Sequence, residues 1–339
     1  MSAPKDPINR RTALAAAGGA ALSAAIPTRA TGQTRRSSPQ LEQLQPPLSA
    51  VLRDTTYFEI ESALAGARYA IWVTTPVSYE REATRRYPAI YLPDGNGAAP
   101  QTVPATELLV YDPINPIRPY IQVCVGYAGE DVRRWLAVRA RDLLPPAEVL
   151  PDGLEAGIAE TVRAGLLDQA AGDLYLHNLR NPAADKFLAF LTEELHPLIA
   201  SRYRIQREAA GLFGFSYGGL FATYVALRRS PLFRRIGAGS PGILPQRSKI
   251  FAMYASELAE RADHTGRMLH MTVAEREITA PTYYQSGVGA GTTEFVTLAG
   301  QTPLPGLDFS SRIIAEESHA TGFGPSWFSF LRTCYSARP

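Results

Sequence analysis

The sequence predicts an α/β fold, a mainly parallel sheet with helices on both faces. Three observations predict it. Strand-like and helix-like segments alternate from residue 57 to the C-terminus, the pattern that builds parallel sheets from βα units. Several of the strand-like runs are apolar at successive positions and stop at glycine, as strands buried on both faces do. A Gly-x-Ser-x-Gly, from Gly214 to Gly218, lies between an apolar strand and an apolar helix, the context in which that motif carries chemistry.

The elements follow in order. "YFEIESALAGARYAIWVTTP" (57–76) reads as two strands with a turn at Ala65-Gly66, and the alternation of Tyr69, Ile71 and Val73 marks a half-buried strand. "YPAIYLPDGNG" and "YIQVCVGY" are buried strands ending at Asp94-Gly95 and Gly126. Residues 146–185 form a less patterned insertion with a helical core at "GLEAGIAETVRAGLLDQA", whose apolar residues Ile158, Val162 and Leu166 recur every four positions. "DKFLAFLTEELHPLIASRY" is an amphipathic helix with Phe187, Phe190, Leu191, Leu195 and Leu198 on one stripe. "AAGLFGFS" is a strand, and "YGGLFATYVALRRSP" a helix with cations in its last turn and Pro231 as its stop. "RRIGAGSPG", "GRMLHMTVAE" and "DFSSRIIAEESH" give three more strands, and "GPSWFSFLRTCY" closes the chain as a helix.

Around this domain, 51–339, the N-terminus has its own character. Arg10-Arg11 precede an Ala-rich, mildly apolar stretch that ends in Pro27 and a small-residue site at Thr28-Arg29-Ala30. This is the layout of an export signal of the twin-arginine type over residues 1–30, which predicts a periplasmic or secreted protein. Residues 31–50 are polar and Pro-rich and read as a linker without a fold. A net charge of +2 gives no electrostatic case for nucleic acid. No apolar run after residue 30 is long enough to span a bilayer, so no stable membrane anchor is expected. Cys124 and Cys334 lack metal-ligand spacing; Cys124, in an apolar strand, reads as a buried thiol, and whether the two pair is open. No cofactor motif is present, since "GNGAAP" lacks the spacing of a dinucleotide fingerprint; the expected partner is a small-molecule ester.

The serine at the centre of the motif, Ser216, needs a base, because a hydroxyl is a poor nucleophile until its proton is removed. His177, His196, His264 and His270 lie in an insert, a helix, a polar stretch and a strand, where structural roles are expected. His319 differs: it follows the last strand, in "EESHATGFGPSW", where a loop reaches back toward the motif. The acid then leaves the preceding strand, "RMLHMTVAERE", where Glu277 and Glu275 both qualify and Glu277 leads. A Ser–His dyad without a distant acid stays open. The oxyanion donors expected are the backbone N–H groups of Tyr217, at the helix N-terminus, and of Asn96, in the loop after "YPAIYLPDG". Arg139 and Arg141 are candidates for an anionic part of the substrate, against the alternative that the Arg and Asp of this block form a structural ion pair.

"YAIWVTTPVSYEREATRRYPAIYLPDGNG", "VGYAGEDVRRWLAVRARDLLPP", "FLTEELHPLIASRYRI", "GFSYGGLFATYVALRRSPLF" and "EESHATG" together resemble the putative-esterase family of α/β-hydrolases. That family includes enterochelin (siderophore trilactone) esterases and, more distantly, formylglutathione hydrolases and feruloyl esterases. The resemblance spans roughly residues 55–335. It implies an α/β-hydrolase fold with Ser216 as nucleophile, His319 as base and Glu277 as the acid of a Gly-x-x-Glu. Phe215 stands where the family often has His, Ala274 where it has Gly, and "GSPG" lacks the Ser and Trp of the siderophore branch. These departures bear on substrate rather than on reaction class. The expectation is an exported serine carboxylic-ester hydrolase, with a siderophore-type lactone as the leading substrate. The alternatives are an acyltransferase of the same fold and a degenerate hydrolase fold that only binds.

Overall fold

The computed structural model describes residues 47–207 and 210–338. The expected export signal, and the expected linker up to residue 46, lie outside the described residues. At the linker's end one helical turn, α1 (Leu48–Val51), leads into the sheet, with Leu48 packed against the core.

Eight strands form one sheet in the order β1-β2-β4-β3-β5-β6-β7-β8. They are β1 (Thr55–Ser62), β2 (Ala67–Thr74), β3 (Ala89–Leu92), β4 (Ile121–Tyr127), β5 (Ala210–Phe215), β6 (Phe233–Gly239), β7 (Arg267–Ala274) and β8 (Leu307–Ile314). β2 pairs antiparallel with β1 and with β4, and every other pairing is parallel. This is the sheet of an α/β-hydrolase. Uniform burial follows the uniform apolar runs: β3 and β4 are buried at every position. One core lies on each side of the sheet. Phe187, Phe190, Phe221 and Tyr91 belong to the larger, and Phe213, Trp327 and Phe330 to the smaller.

The helices are α2 (Gly95–Val110), α3 (Trp135–Leu143), α4 (Leu154–Arg163), α5 (Gln169–Arg180), α6 (Ala184–Ala189), α7 (His196–Arg202), α8 (Tyr217–Leu227), α9 (Lys249–Ala259), α10 (Glu275–Thr279), α11 (Ala290–Gln301) and α12 (Phe323–Cys334). A π-helical segment, Phe190–Leu195, joins α6 to α7, so the expected amphipathic helix is continuous. Its stripe is buried except for Leu198, which is 45% exposed.

Several elements differ from the sequence reading. The single helix expected in the insertion is two: the chain turns at Gly165, where φ is +70°, and Asp168 caps α5 by accepting the Ala171 N–H. Leu166 therefore leaves the stripe and is exposed. α8 ends at Leu227, before the arginines expected in its last turn. α2 contains Pro100 and Pro104, residues that lower helix propensity and remove backbone donors. Among the described residues Cys124 and Cys334 are free and buried, and burial pushes each thiol up to about 12. No helix there is long and apolar enough to cross a membrane.

Candidate active site

β5 runs into α8 through Ser216, whose backbone sits at φ 60°, ψ −120°, a strained conformation that a serine adopts only when its surroundings impose it. The close approach of strand and helix imposes it. A Cβ on Gly214 would lie 2.0 Å from the Gly218 carbonyl oxygen, so only glycine permits the turn. The turn holds the Ser216 side chain at the C-terminal edge of the parallel strands.

Two further strand ends supply its partners. The loop after β8 carries His319, and α10, which follows β7, carries Glu277. Ser216 Oγ lies 3.0 Å from His319 Nε2, and His319 Nδ1 lies 2.5 Å from Glu277 Oε1. Glu277 is buried, 1% exposed. Its second oxygen accepts hydrogen bonds from Ser240 Oγ and from the Ala274 N–H, both at 2.8 Å. The carboxylate is thus fully paired and cannot swing away from the imidazole. Glu275, the alternative acid, points elsewhere and accepts the Glu316 N–H at 2.8 Å. A carboxylate on Nδ1 fixes the tautomer that leaves Nε2 free to accept the serine proton. The arrangement can therefore generate a serine alkoxide equivalent.

Ser240 was not singled out in the sequence. It ends β6 in the "GSPG" turn with φ +40°, and its hydroxyl is committed to the acid. Strand-end position, used for Glu277 and His319, is the signal that also marks Ser240.

The other four histidines are tied into the fold, or lie apart from this site. His196 bonds Tyr91 Oη and the Arg207 carbonyl, His264 bonds Glu257, His270 lies between Ser310 and Ser329, and His177 sits in α5.

Ser216 and His319 open into a cavity of about 590 Å³, which Asn96, Tyr217 and Arg139 also line. Tyr217 begins α8, where backbone N–H groups have no intrahelical partner and the helix dipole favours negative charge. Asn96 is the second residue of α2, whose N-cap Asp94 is left-handed at φ 57°. The Asn96 side chain docks on the end of β4, donating to the Tyr127 carbonyl at 3.0 Å and accepting the Tyr127 N–H at 2.7 Å. A Cβ on Gly126 would collide with that side chain at 2.2 Å. Both backbones expected as oxyanion donors thus border the same cavity as Ser216.

The two arginines part company. Arg139 lines the cavity, but its guanidinium forms a bidentate pair with Asp94 at 2.8 and 2.7 Å and lies over the rings of Trp135 and Tyr217. It anchors the loop that carries Asn96. Arg141 is not among the cavity-lining residues, a correction to its expected place. It pairs with its neighbour Asp142, at 2.7 Å, and Asp142 also accepts from Tyr69 Oη. The reason is geometric: α3 turns adjacent odd positions to different surroundings, so Arg139 and Arg141 cannot share one ligand. The ion pair expected within the block is Arg141 with Asp142, not Arg139.

Comparison with known proteins finds relatives of the same fold. The family model described as "Putative esterase" matches residues 132–294. The ferri-bacillibactin esterase BesA of Bacillus subtilis (strain 168) is 28% identical over 176 residues, which cover 52% of this chain and 54% of the relative. The chain thus spans about half the length of the curated relative it matches. Two solved structures share the fold. The BES protein from Bacillus cereus superposes with a TM-score of 0.65 at 21% identity, covering 87% of this chain and 98% of the other. Siderophore hydrolase EstB from Aspergillus nidulans gives 0.65 at 20% identity, covering 89% and 99%. By its sheet this chain has the fold of the α/β-hydrolases, and the block that carries Ser216 and Glu277 is similar to the putative-esterase family.

Proposed function

We propose that this protein is an exported serine carboxylic-ester hydrolase that acts through an acyl-enzyme on Ser216. The observation that carries the reading is the continuous hydrogen-bonded line from Ser216 through His319 to the buried Glu277, opening into a cavity. Ser216 Oγ attacks the ester carbonyl carbon while His319 Nε2 takes its proton. Glu277 stabilises the imidazolium that forms. The oxyanion of the tetrahedral intermediate accepts the Tyr217 and Asn96 N–H groups. His319 then returns its proton to the leaving alcohol, and water, activated by the same imidazole, releases the acid.

A siderophore-type lactone is the substrate class favoured, because the similar proteins carry the names ferri-bacillibactin esterase and siderophore hydrolase. Export rests on the Arg10-Arg11 signal layout. Acyl transfer to an alcohol is the second reading. It draws support from the insertion residues Leu154 and Tyr175 and the aromatic pair Tyr283 and Tyr284, which line the cavity beside Ser216 and offer apolar surface to an acceptor alcohol.

The test is labelling of the protein lacking residues 1–30 by a fluorophosphonate probe, beside Ser216→Ala and His319→Ala. The wild type should label, and both variants should not. A folded wild type that does not label overturns the mechanism. Product analysis of ester turnover with added alcohol separates hydrolysis from transfer.

A further inference from the structure

His319 is held not only by its two hydrogen bonds but between two aromatic rings. Tyr284 stacks on the imidazole with ring centroids 4.1 Å apart and planes 15° from parallel. Phe215 lies against it at 5.1 Å and 43°. The Tyr284 contact is unusual in origin, because Tyr284 stands on a separate segment of chain and is itself 41% exposed. An exposed tyrosine is free to turn to solvent unless its backbone is fixed.

The backbone is fixed against the acid. Tyr284 leads directly into a π-helical turn, Gln285–Gly289, a form often found at functional sites. Gly289 approaches so closely that a Cβ there would lie 2.1 Å from the Glu277 carbonyl oxygen. Gln285 Nε2 donates to the Ile278 carbonyl at 2.9 Å. The segment that carries Tyr284 is therefore packed onto α10, the helix that holds Glu277, so one packed unit sets the places of both the ring and the carboxylate against the imidazole.

We propose that Tyr284 is a positioning residue for His319, whose ring face holds the imidazole plane and stabilises the imidazolium formed as Ser216 attacks. The inference rests on the serine-hydrolase reading above. A parallel ring at this distance presents its electron-rich face to a cation. The neutral imidazole gains little from that face and the imidazolium gains more, so the contact favours the transition state over the ground state. The charged and titratable groups on the elements around His319 are Glu275, Arg276 and Glu277 of α10, Glu316 and Glu317 of its own loop, Tyr217 of α8, and Tyr283 beside Tyr284; Arg139 across the cavity is paired with Asp94.

The experiment compares Tyr284→Phe, which keeps the ring face, with Tyr284→Leu, which keeps an apolar cover without it. With a neutral p-nitrophenyl ester, Tyr284→Leu should lower kcat/KM about ten-fold, mostly in kcat. It should also move the acid limb of the kcat/KM–pH profile to lower pH by about half a unit to one unit, because the imidazolium is less stable. Tyr284→Phe should restore both. A residue that only shielded the site would lower the rate and leave the acid limb in place, and that result overturns the proposal, as does Tyr284→Phe behaving like Tyr284→Leu. If the protein turns over no ester, the serine-hydrolase reading fails separately. The His319 ring titration followed by NMR in the Ser216→Ala background then decides: a lower midpoint with Tyr284→Leu upholds the contact, and an unmoved one overturns it.

Discussion

At the scale of single residues, the two glutamates of "AEREI" separate cleanly. They are two positions apart on a short helix, so one faces inward and the other does not. Glu277 enters the interior, where burial requires that every lone pair find a donor; Ser240, Ala274 and His319 provide them. Glu277→Gln places an amide where a carboxylate accepts the Nδ1 proton. The imidazole is then driven to the tautomer that carries its hydrogen on Nε2, which cannot accept from serine. On the proposed mechanism kcat should fall by about 10²- to 10⁴-fold, with KM for a small ester little changed. Glu275→Gln touches only the Glu316 backbone contact and should leave kcat within about two-fold. Steady-state kinetics on both variants check the assignment, and equal losses would refute it. At this scale the sequence showed which strand ends carry Ser216, His319 and Glu277, the three side chains that the fold brings into one hydrogen-bonded line. It did not show the Asp94 partner of Arg139, because that pair joins the N-cap of α2 to α3, which only the tertiary fold brings together.

At the scale of elements, the turn from β5 to α8 is the part most sensitive to a single methyl group. Gly214→Ala puts a Cβ against the Gly218 carbonyl, backbone against backbone, where no rotamer relieves the contact. Destabilisation of about 1–3 kcal/mol is expected from such overpacking, together with displacement of Ser216 and loss of fluorophosphonate labelling. Gly300→Ala is the matched control: it lies in the last turn of α11 with nothing within 4 Å, where Ala in place of Gly gains up to about 0.5 kcal/mol, less than in a helix interior. Denaturant midpoints of the two variants should therefore move in opposite directions. All eight strands were legible in the sequence: β3 and β4 are almost wholly apolar and buried throughout, β2 alternates, and turn residues bound the mostly unburied β1 and β8. Several helices, α2 and α11 among them, were not. Pro100 and Pro104 break the helical signal of α2, while α11 is rich in Thr, whose hydroxyls turn back onto the helix backbone at Gly289 and Thr293. The insertion was read as one helix because "GLLD" keeps the apolar spacing; only the left-handed Gly165 shows that the chain reverses there.

At the scale of the whole molecule, the same burial that secures the sheet makes its stability depend on pH. His270 lies inside β7, 2% exposed, with each ring nitrogen 2.8 Å from a serine hydroxyl, Ser310 on one side and Ser329 on the other. Burial, with Arg312 adding a like charge, holds its pKa down at about 4, against 6.5 for the unperturbed group. Burial lowers His196 and His264 in the same direction. Between about pH 6.5 and about pH 4 the unfolded chain therefore binds protons that the folded chain refuses. Stability rises with pH through this window, is complete above it, and is fully lost from this source below about pH 4. Desolvation raises Asp142 and Glu148, and these work in the opposite sense, because folding then favours their protonated forms as the pH falls. The net curve is thus a difference between buried imidazoles and buried carboxyls, and a variant is needed to separate them. Wild type should lose up to about 3 kcal/mol through His270 alone between pH 7 and pH 4. His270→Gln cannot lose it, so the stability gap between the two proteins should narrow by that amount as the pH falls. Urea denaturation of both across this range measures the gap. A gap that stays constant with pH would mean that His270 titrates normally in the folded sheet, and an NMR titration of its ring in the wild type would then place its midpoint near 6.5 rather than near 4.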